Sequence, residues 1–118
     1  MGLRVIVTGG RDYQNPSRVF KVLDEIHRTE GIRVVVHGAC PRGVDTYAHL
    51  WAMKNQVHIE PHPGEWNKYG KGAGHKRNRL MAQLGADLCV VFPGGRGTQN
   101  MLGNAIEHNI PYRIVSDE

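Results

Sequence analysis

Asp87-Leu88-Cys89-Val90-Val91-Phe92-Pro93-Gly94-Gly95-Arg96-Gly97-Thr98 is the stretch whose reading decides the fold. Its first half is an apolar run of strand length. A glycine turn follows, and then a helical run from Thr98 to about His108. Glycines at 94, 95 and 97 cost chain entropy unless the backbone bends sharply or something approaches it closely. A glycine turn between a strand and a helix N-terminus presents unpaired N–H groups and the positive end of the helix dipole, which suits a phosphate or carboxylate. Taken alone, the turn reads equally well as a tight connection whose glycines serve only φ, so its context must decide.

Upstream, Leu3 to Val7 is a continuous apolar strand interrupted only by Arg4, and Thr8-Gly9-Gly10-Arg11-Asp12 ends it. Asn15-Pro16 has the form of a helix start, with Asn15 as N-cap and Pro16 at the first helical position. Val19, Val22, Leu23 and Ile26 then fall on one helical face, and Gly31 closes the helix. Val34-Val35-Val36 is a second buried strand. It runs through His37–Gly43 into a helix with Val44, Tyr47, Ala48 and Trp51 on one face and Asp45 and His49 beside it. Val57–His62 is a third strand. Residues 63–74 are polar and glycine-marked and read as a mobile loop. A helix is expected from about His75 to Leu84, and Tyr112–Val115 forms a fifth strand.

Apolar strands alternating with helices predict an α/β fold: a Rossmann-like three-layer sandwich around a five-stranded parallel sheet. The chain of 118 residues fits one domain, 1–118. Right-handed crossovers give the order 3-2-1-4-5, with a switch point between strands 1 and 4. The loops meeting there are Thr8–Asp12 and Pro93–Thr98, with His37–Gly43 beside them. Ligands of open α/β sheets bind at such a point, so the topology favours the anion-site reading.

The composition is that of a globular domain, 40% hydrophobic and 22% charged, with no run of transmembrane length and no signal-peptide pattern at Met1–Val7. A cytoplasmic protein with no membrane association is expected, and Cys40 and Cys89 are expected as free thiols. A net charge of +4 suits an anionic ligand, a nucleotide or a nucleic acid. No Gly-Lys-Ser/Thr occurs, and no GxGxxG follows the first strand, which disfavours ATP hydrolysis and ordinary NAD-dependent redox chemistry. No cofactor is expected. His58, Glu60 and His62 alternate on one side of a strand but lack a fourth ligand, so no metal is expected.

Val7–Tyr13, His37-Gly38 with Gly43-Val44-Asp45, Gly74–Asn78 and Phe92–Thr98 together resemble, in order and over nearly the whole chain, the YspA-like (YpsA-related) family of SLOG domains. The resemblance implies a Rossmann-like domain that binds a nucleotide or nucleotide-derived small molecule. Pro93–Thr98 is also similar to the PGGxGTxxE motif of Lonely Guy phosphoribohydrolases, which cleave the N-glycosidic bond of nucleoside monophosphates, and Arg77-Asn78…Met81 to part of their RKxxM motif. Here Met101 stands at the glutamate position and Asn78 at the lysine position. That likeness implies a hydrolase as an alternative, and a homodimer. Val35–Thr46 resembles the SGLARGID stretch of DprA/Smf proteins, with one extra residue, and implies single-stranded DNA binding as a further alternative.

The residues assigned to the ligand are Thr8, Gly9, Gly10, Arg11, Gly38, Asp45, Arg77, Asn78, Pro93, Gly94, Gly95, Arg96, Gly97 and Thr98. The glycine turns offer N–H groups, and Thr98 a hydroxyl, to a phosphate-binding loop. Arg77 is the expected charged phosphate partner, because a guanidinium fork matches phosphate oxygens. Asp45 reads either as a ribose ligand or as a carboxylate complementing the helix dipole. Asp12 is expected to pair with Arg11 or Arg77. Trp66 and Tyr69 read either as base-stacking side chains or, for Trp66, as cover for the sheet edge. If the protein is an enzyme, Arg77, Asp45 and Glu65 are the catalytic candidates. Met101 shares a helical face with Thr98, so a glutamate at 101 would be expected to reach the ribose.

Overall fold

The computed structural model describes residues 2–116. Five strands, β1 (Leu3–Thr8), β2 (Ile32–His37), β3 (His58–Pro61), β4 (Leu88–Val91) and β5 (Tyr112–Ile114), form one sheet in the order β3-β2-β1-β4-β5. Every pairing is parallel, with Val5 opposite Val35 and Leu88, and Cys89 opposite Tyr112. Parallel strands leave both faces to be covered, which is why β1, β2 and β4 read as nearly unbroken apolar runs. Alternation then divides their side chains. Val5, Val7, Val35, Val90 and Phe92 pack with α1 (Pro16–Thr29) and α2 (Val44–Lys54). Ile6, Val34, Val36, Cys89 and Val91 pack with α4 (Ala73–Leu84) and α5 (Arg96–Glu107). The expected α1 face of Val19, Val22, Leu23 and Ile26 is buried.

Arg4 interrupts β1 for a structural reason. Its guanidinium makes paired bonds of 2.7 and 2.6 Å to Glu60 of β3, and its Nε donates to the Gly85 carbonyl at 2.8 Å. A bidentate arginine–carboxylate pair ties strands that are not neighbours. It also holds the Glu60 carboxyl down at about 2, with His62 bonding the same carboxylate at 2.6 Å. The carboxylate in the His58-Glu60-His62 alternation is thus engaged within the protein, and no cluster of three metal-ligating groups occurs among the described residues.

The segment 63–74 differs from the expected mobile loop. It holds a short helix, α3 (Trp66–Tyr69), then one 3₁₀ turn at Gly70–Gly72, and α4 begins at Ala73 rather than His75. The Glu65 carbonyl accepts from Lys68 and Tyr69 N–H at 3.0 and 2.9 Å, which closes the first turn locally. The Trp66 ring lies against Gly64 and Gly74, where a Cβ would come 3.1 and 3.4 Å from it. Gly64 leaves room for the indole, while Gly70 takes a φ of +56°. Among the described residues no helix is long and apolar enough to cross a membrane.

Candidate functional site

The carboxyl ends of β1, β2 and β4 open into a cleft of about 600 Å³. All the residues assigned to a ligand from the sequence, Thr8 through Arg11, Gly38, Asp45, Arg77, Asn78 and Pro93 through Thr98, line this one cleft. Val7, Asp12, Tyr13, Cys40 and Met81 line it as well. Of these, Val7 and Met81 belong to the core beneath the cleft, and Tyr13 is half-buried at its side.

The two glycine loops hold each other: Gly10 N–H donates to the Pro93 carbonyl at 2.8 Å. That contact explains Gly94. A Cβ there would overlap the Thr98 hydroxyl and come within 2.6 Å of the Gly10 nitrogen. Gly95 and Gly97 are different. A Cβ on either meets no protein atom within 4 Å, and neither has a positive φ. Both line the cleft, so the absent side chains leave bare backbone facing open space.

That backbone is the start of α5. Gly95 caps it with no side-chain bond, and no acidic residue stands in its first turn. The Gln99 N–H to Gly95 carbonyl bond of 3.1 Å starts the helical ladder. The N–H groups of Arg96, Gly97 and Thr98 precede it and have no helical acceptor. No side chain of the cap or first turn of α5 therefore compensates the positive end of its dipole.

Arg77 is committed largely to the protein. Its Nη1 donates to the Gly38 carbonyl and, at 3.4 Å, to the His62 carbonyl, while Nε donates to Asn78 Oδ1 at 2.8 Å. A Cβ at Gly38 would lie 2.6 Å from Nη1, so the glycine admits the guanidinium. Asn78 passes the connection on: its Nδ2 donates to the Gly97 carbonyl at 3.2 Å and to Asn100 Oδ1 at 3.0 Å. Nη2 is the part of the fork without such a bond to the described residues. Arg77 thus joins the β2 loop to α5 through Asn78, and the expected full fork toward a phosphate is reduced to one edge.

Asp45, at the start of α2, is buried and accepts from Cys40 N–H at 3.2 Å. Burial pushes its carboxyl up from the ordinary range and raises the Cys40 thiol beside it. Asp12 pairs with neither Arg11 nor Arg77. Its carboxylate meets Arg42 at 2.8 Å in an exposed pair. Glu65 lies outside the cleft lining, on a groove with Tyr69 and Lys76. Trp66 and Tyr69 are also outside it, and the Trp66 ring lies against Gly64 and Gly74. Met101 corrects a further expectation: its side chain is wholly buried in the α4–α5 core with Met81 and Ile6 and does not line the cleft. The face it shares with Thr98 packs on the sheet. Both cysteines are free, and burial pushes the Cys89 thiol up to about 12.

Sequence reading missed His37. It is buried; its Nδ1 accepts from Ala39 N–H at 2.9 Å, and its Nε2 stands 2.9 Å from His49 Nδ1. The first bond makes Nε2 the protonated nitrogen, so Nε2–H donates to His49. Burial lowers the ring to about 4, which keeps it neutral and keeps this arrangement. It steadies the loop that carries Gly38, where Ala39 takes a φ of +59°. The available signal was a histidine spaced twelve residues from a second one on the following helix, a pattern that only the folded β2–α2 geometry makes specific.

A family model described as "YspA, cpYpsA-related SLOG family" matches residues 3–69. The chain is also similar to "Gene 61 protein" of Mycobacterium phage D29, 40% identical over 123 aligned residues that cover 98% of each chain. The family match spans the Thr8–Asp12 and His37–Asp45 walls of the cleft, while Arg77 and the Pro93–Thr98 turn follow it in sequence.

Proposed function

We propose that this chain, which belongs to the YspA, cpYpsA-related SLOG family, binds a nucleotide or nucleotide-derived small molecule in the glycine cleft. The observation that carries the reading is the pair Gly95 and Gly97. They line the cleft, clash with nothing if given a Cβ, and have no positive φ to explain them. A glycine inside a helix lowers its stability relative to alanine by roughly 0.5–1 kcal/mol, which bears on Gly97 of α5, whereas Gly95 stands at the N-cap, where glycine is tolerated. Close approach of a phosphate to the N–H groups of α5 accounts for that cost. Asp45 supplies an acceptor for a sugar hydroxyl, and the half-buried Tyr13 ring a surface for a base. The cleft volume of about 600 Å³ lies within the range of small-molecule sites.

The hydrolase alternative has less support. Met101 offers no proton and is in the core, which leaves Asp45 and the exposed Asp12 as the carboxylates lining the cleft. The test is a thermal-shift series with AMP, ADP-ribose and a cyclic nucleotide. At a hundredfold excess over Kd, a true ligand adds about 2.7 kcal/mol of stability. Gly97→Val retains the fold and loses the shift. Flat melting curves with every nucleotide, or an undiminished shift in folded Gly97→Val, would remove the proposal.

A further inference from the structure

The net charge of +4 is not spread over the molecule. Residues 65–80 contain five cations, Lys68, Lys71, Lys76, Arg77 and Arg79, against one acid, Glu65. Subtracting them from the 15 basic and 11 acidic residues of the chain leaves ten of each elsewhere. The whole excess therefore sits on α3, the 3₁₀ turn and the first half of α4. The same segment exposes two aromatic rings, Trp66 at 52% and Tyr69 at 38%. Lys68 and Lys76 bring their ammonium groups to 5.1 and 4.6 Å from the centre of the Tyr69 ring. A groove of about 350 Å³ runs along Tyr69, Lys76 and Arg79. It reaches Arg77, which also lines the glycine cleft.

We infer that residues 65–80 form a docking groove for single-stranded nucleic acid. Exposed lysines and arginines along a groove match a phosphate backbone, and exposed rings among them match unpaired bases, whose faces stack without regard to sequence. A duplex hides those faces and leaves only the cations to engage. An anionic membrane surface calls for a helix with a broad apolar face, and α3 has four residues. The groove uses side chains other than the α5 backbone, so the inference stands apart from the nucleotide reading of the cleft.

The experiment is fluorescence anisotropy of the whole protein with a labelled oligothymidylate of about 12 nucleotides, inside the ~4–16 nucleotide range of such sites. The titration is run between about 50 and 200 mM salt, where affinity falls with a log–log slope near −0.7 per phosphate neutralised. The double variant Lys76→Glu/Arg79→Glu loses about tenfold or more in affinity and flattens the slope by about 1.4. Tyr69, the ring that lines the groove, carries the stacking test: Tyr69→Ala loses about tenfold with the slope unchanged, and Tyr69→Phe restores binding, which separates stacking from charge. All these side chains are at least partly exposed, so circular dichroism melts of the variants stay close to the parent's. Absence of oligothymidylate binding at the lowest salt overturns the inference, as does parental affinity in the charge-reversal variant. Equal affinity for a duplex of the same length, or binding to anionic vesicles in place of the oligonucleotide, overturns it too. Nucleotide-induced thermal shifts report on the cleft, so their loss with oligonucleotide binding intact strikes the nucleotide reading and leaves the groove.

Discussion

Helix α1 starts on Asn15, whose side chain accepts from Arg18 N–H at 3.1 Å, and continues with Pro16, which has no N–H to satisfy. Helix α5 starts on Gly95, with no side-chain cap and no acidic residue in its first turn. Both helices follow a loop from the carboxyl edge of the sheet, so location does not explain the difference. α1 satisfies its terminus locally, while α5 leaves donors and a positive dipole end on the wall of the cleft. A glycine N-cap in place of a side-chain cap forgoes only roughly a few tenths of a kcal/mol of local stabilisation there. On the proposed function, that open terminus is the part of the site that a bound anion would complete.

The largest expected effect divides the glycines of the α5 turn from one another. Gly94→Ala drives a Cβ into the Thr98 side chain and the Gly10 backbone. It should cost about 3 kcal/mol, the upper part of the range for overpacking. Urea unfolding measures it, and a midpoint equal to the parent's would show that the two loops part readily. Next comes Gly95→Asp, which gives α5 the kind of cap that α1 has. Its carboxylate occupies the dipole end, so nucleotide affinity should fall about tenfold or more while the melting temperature holds or rises slightly. Isothermal titration beside a melt reads both quantities, and unchanged affinity would erase the distinction between the two termini. The smallest effect is at α1: Asn15→Ala should lose about 1 kcal/mol of stability and leave nucleotide Kd unchanged. A Kd that moves with Asn15 would mean the capped terminus also serves the ligand.

The strands and their order were legible because buried parallel strands must be apolar on both faces and their crossovers have one hand. Glycines at three strand ends then marked one edge of the sheet, and the lining residues of the cleft follow from that placement. Helical periodicity correctly put Met101 on the Thr98 face, but periodicity does not say what a face meets. In the fold that face meets the sheet, and Met101 is core. Composition suggested a mobile loop at 63–74 because glycine and polar residues break regular patterns. Glycine also makes room for a ring, and Trp66 uses Gly64 in that way.

The sequence by itself determined the architecture, the position of the cleft and the location of the charge excess. Each depends on local pattern: the period of apolar residues, the strand-to-helix turns and the count of charges along the chain. Tertiary structure alone decided how the polar groups pair. Arg77 meets the carbonyl of Gly38, thirty-nine positions away, and Asp12 meets Arg42 rather than a nearer arginine. His37 is held neutral between Ala39 and His49. A hydrogen bond depends on where two atoms arrive in space, and many chain neighbours offer equivalent donors and acceptors. Only the packed positions of the β-loops and helices select among them.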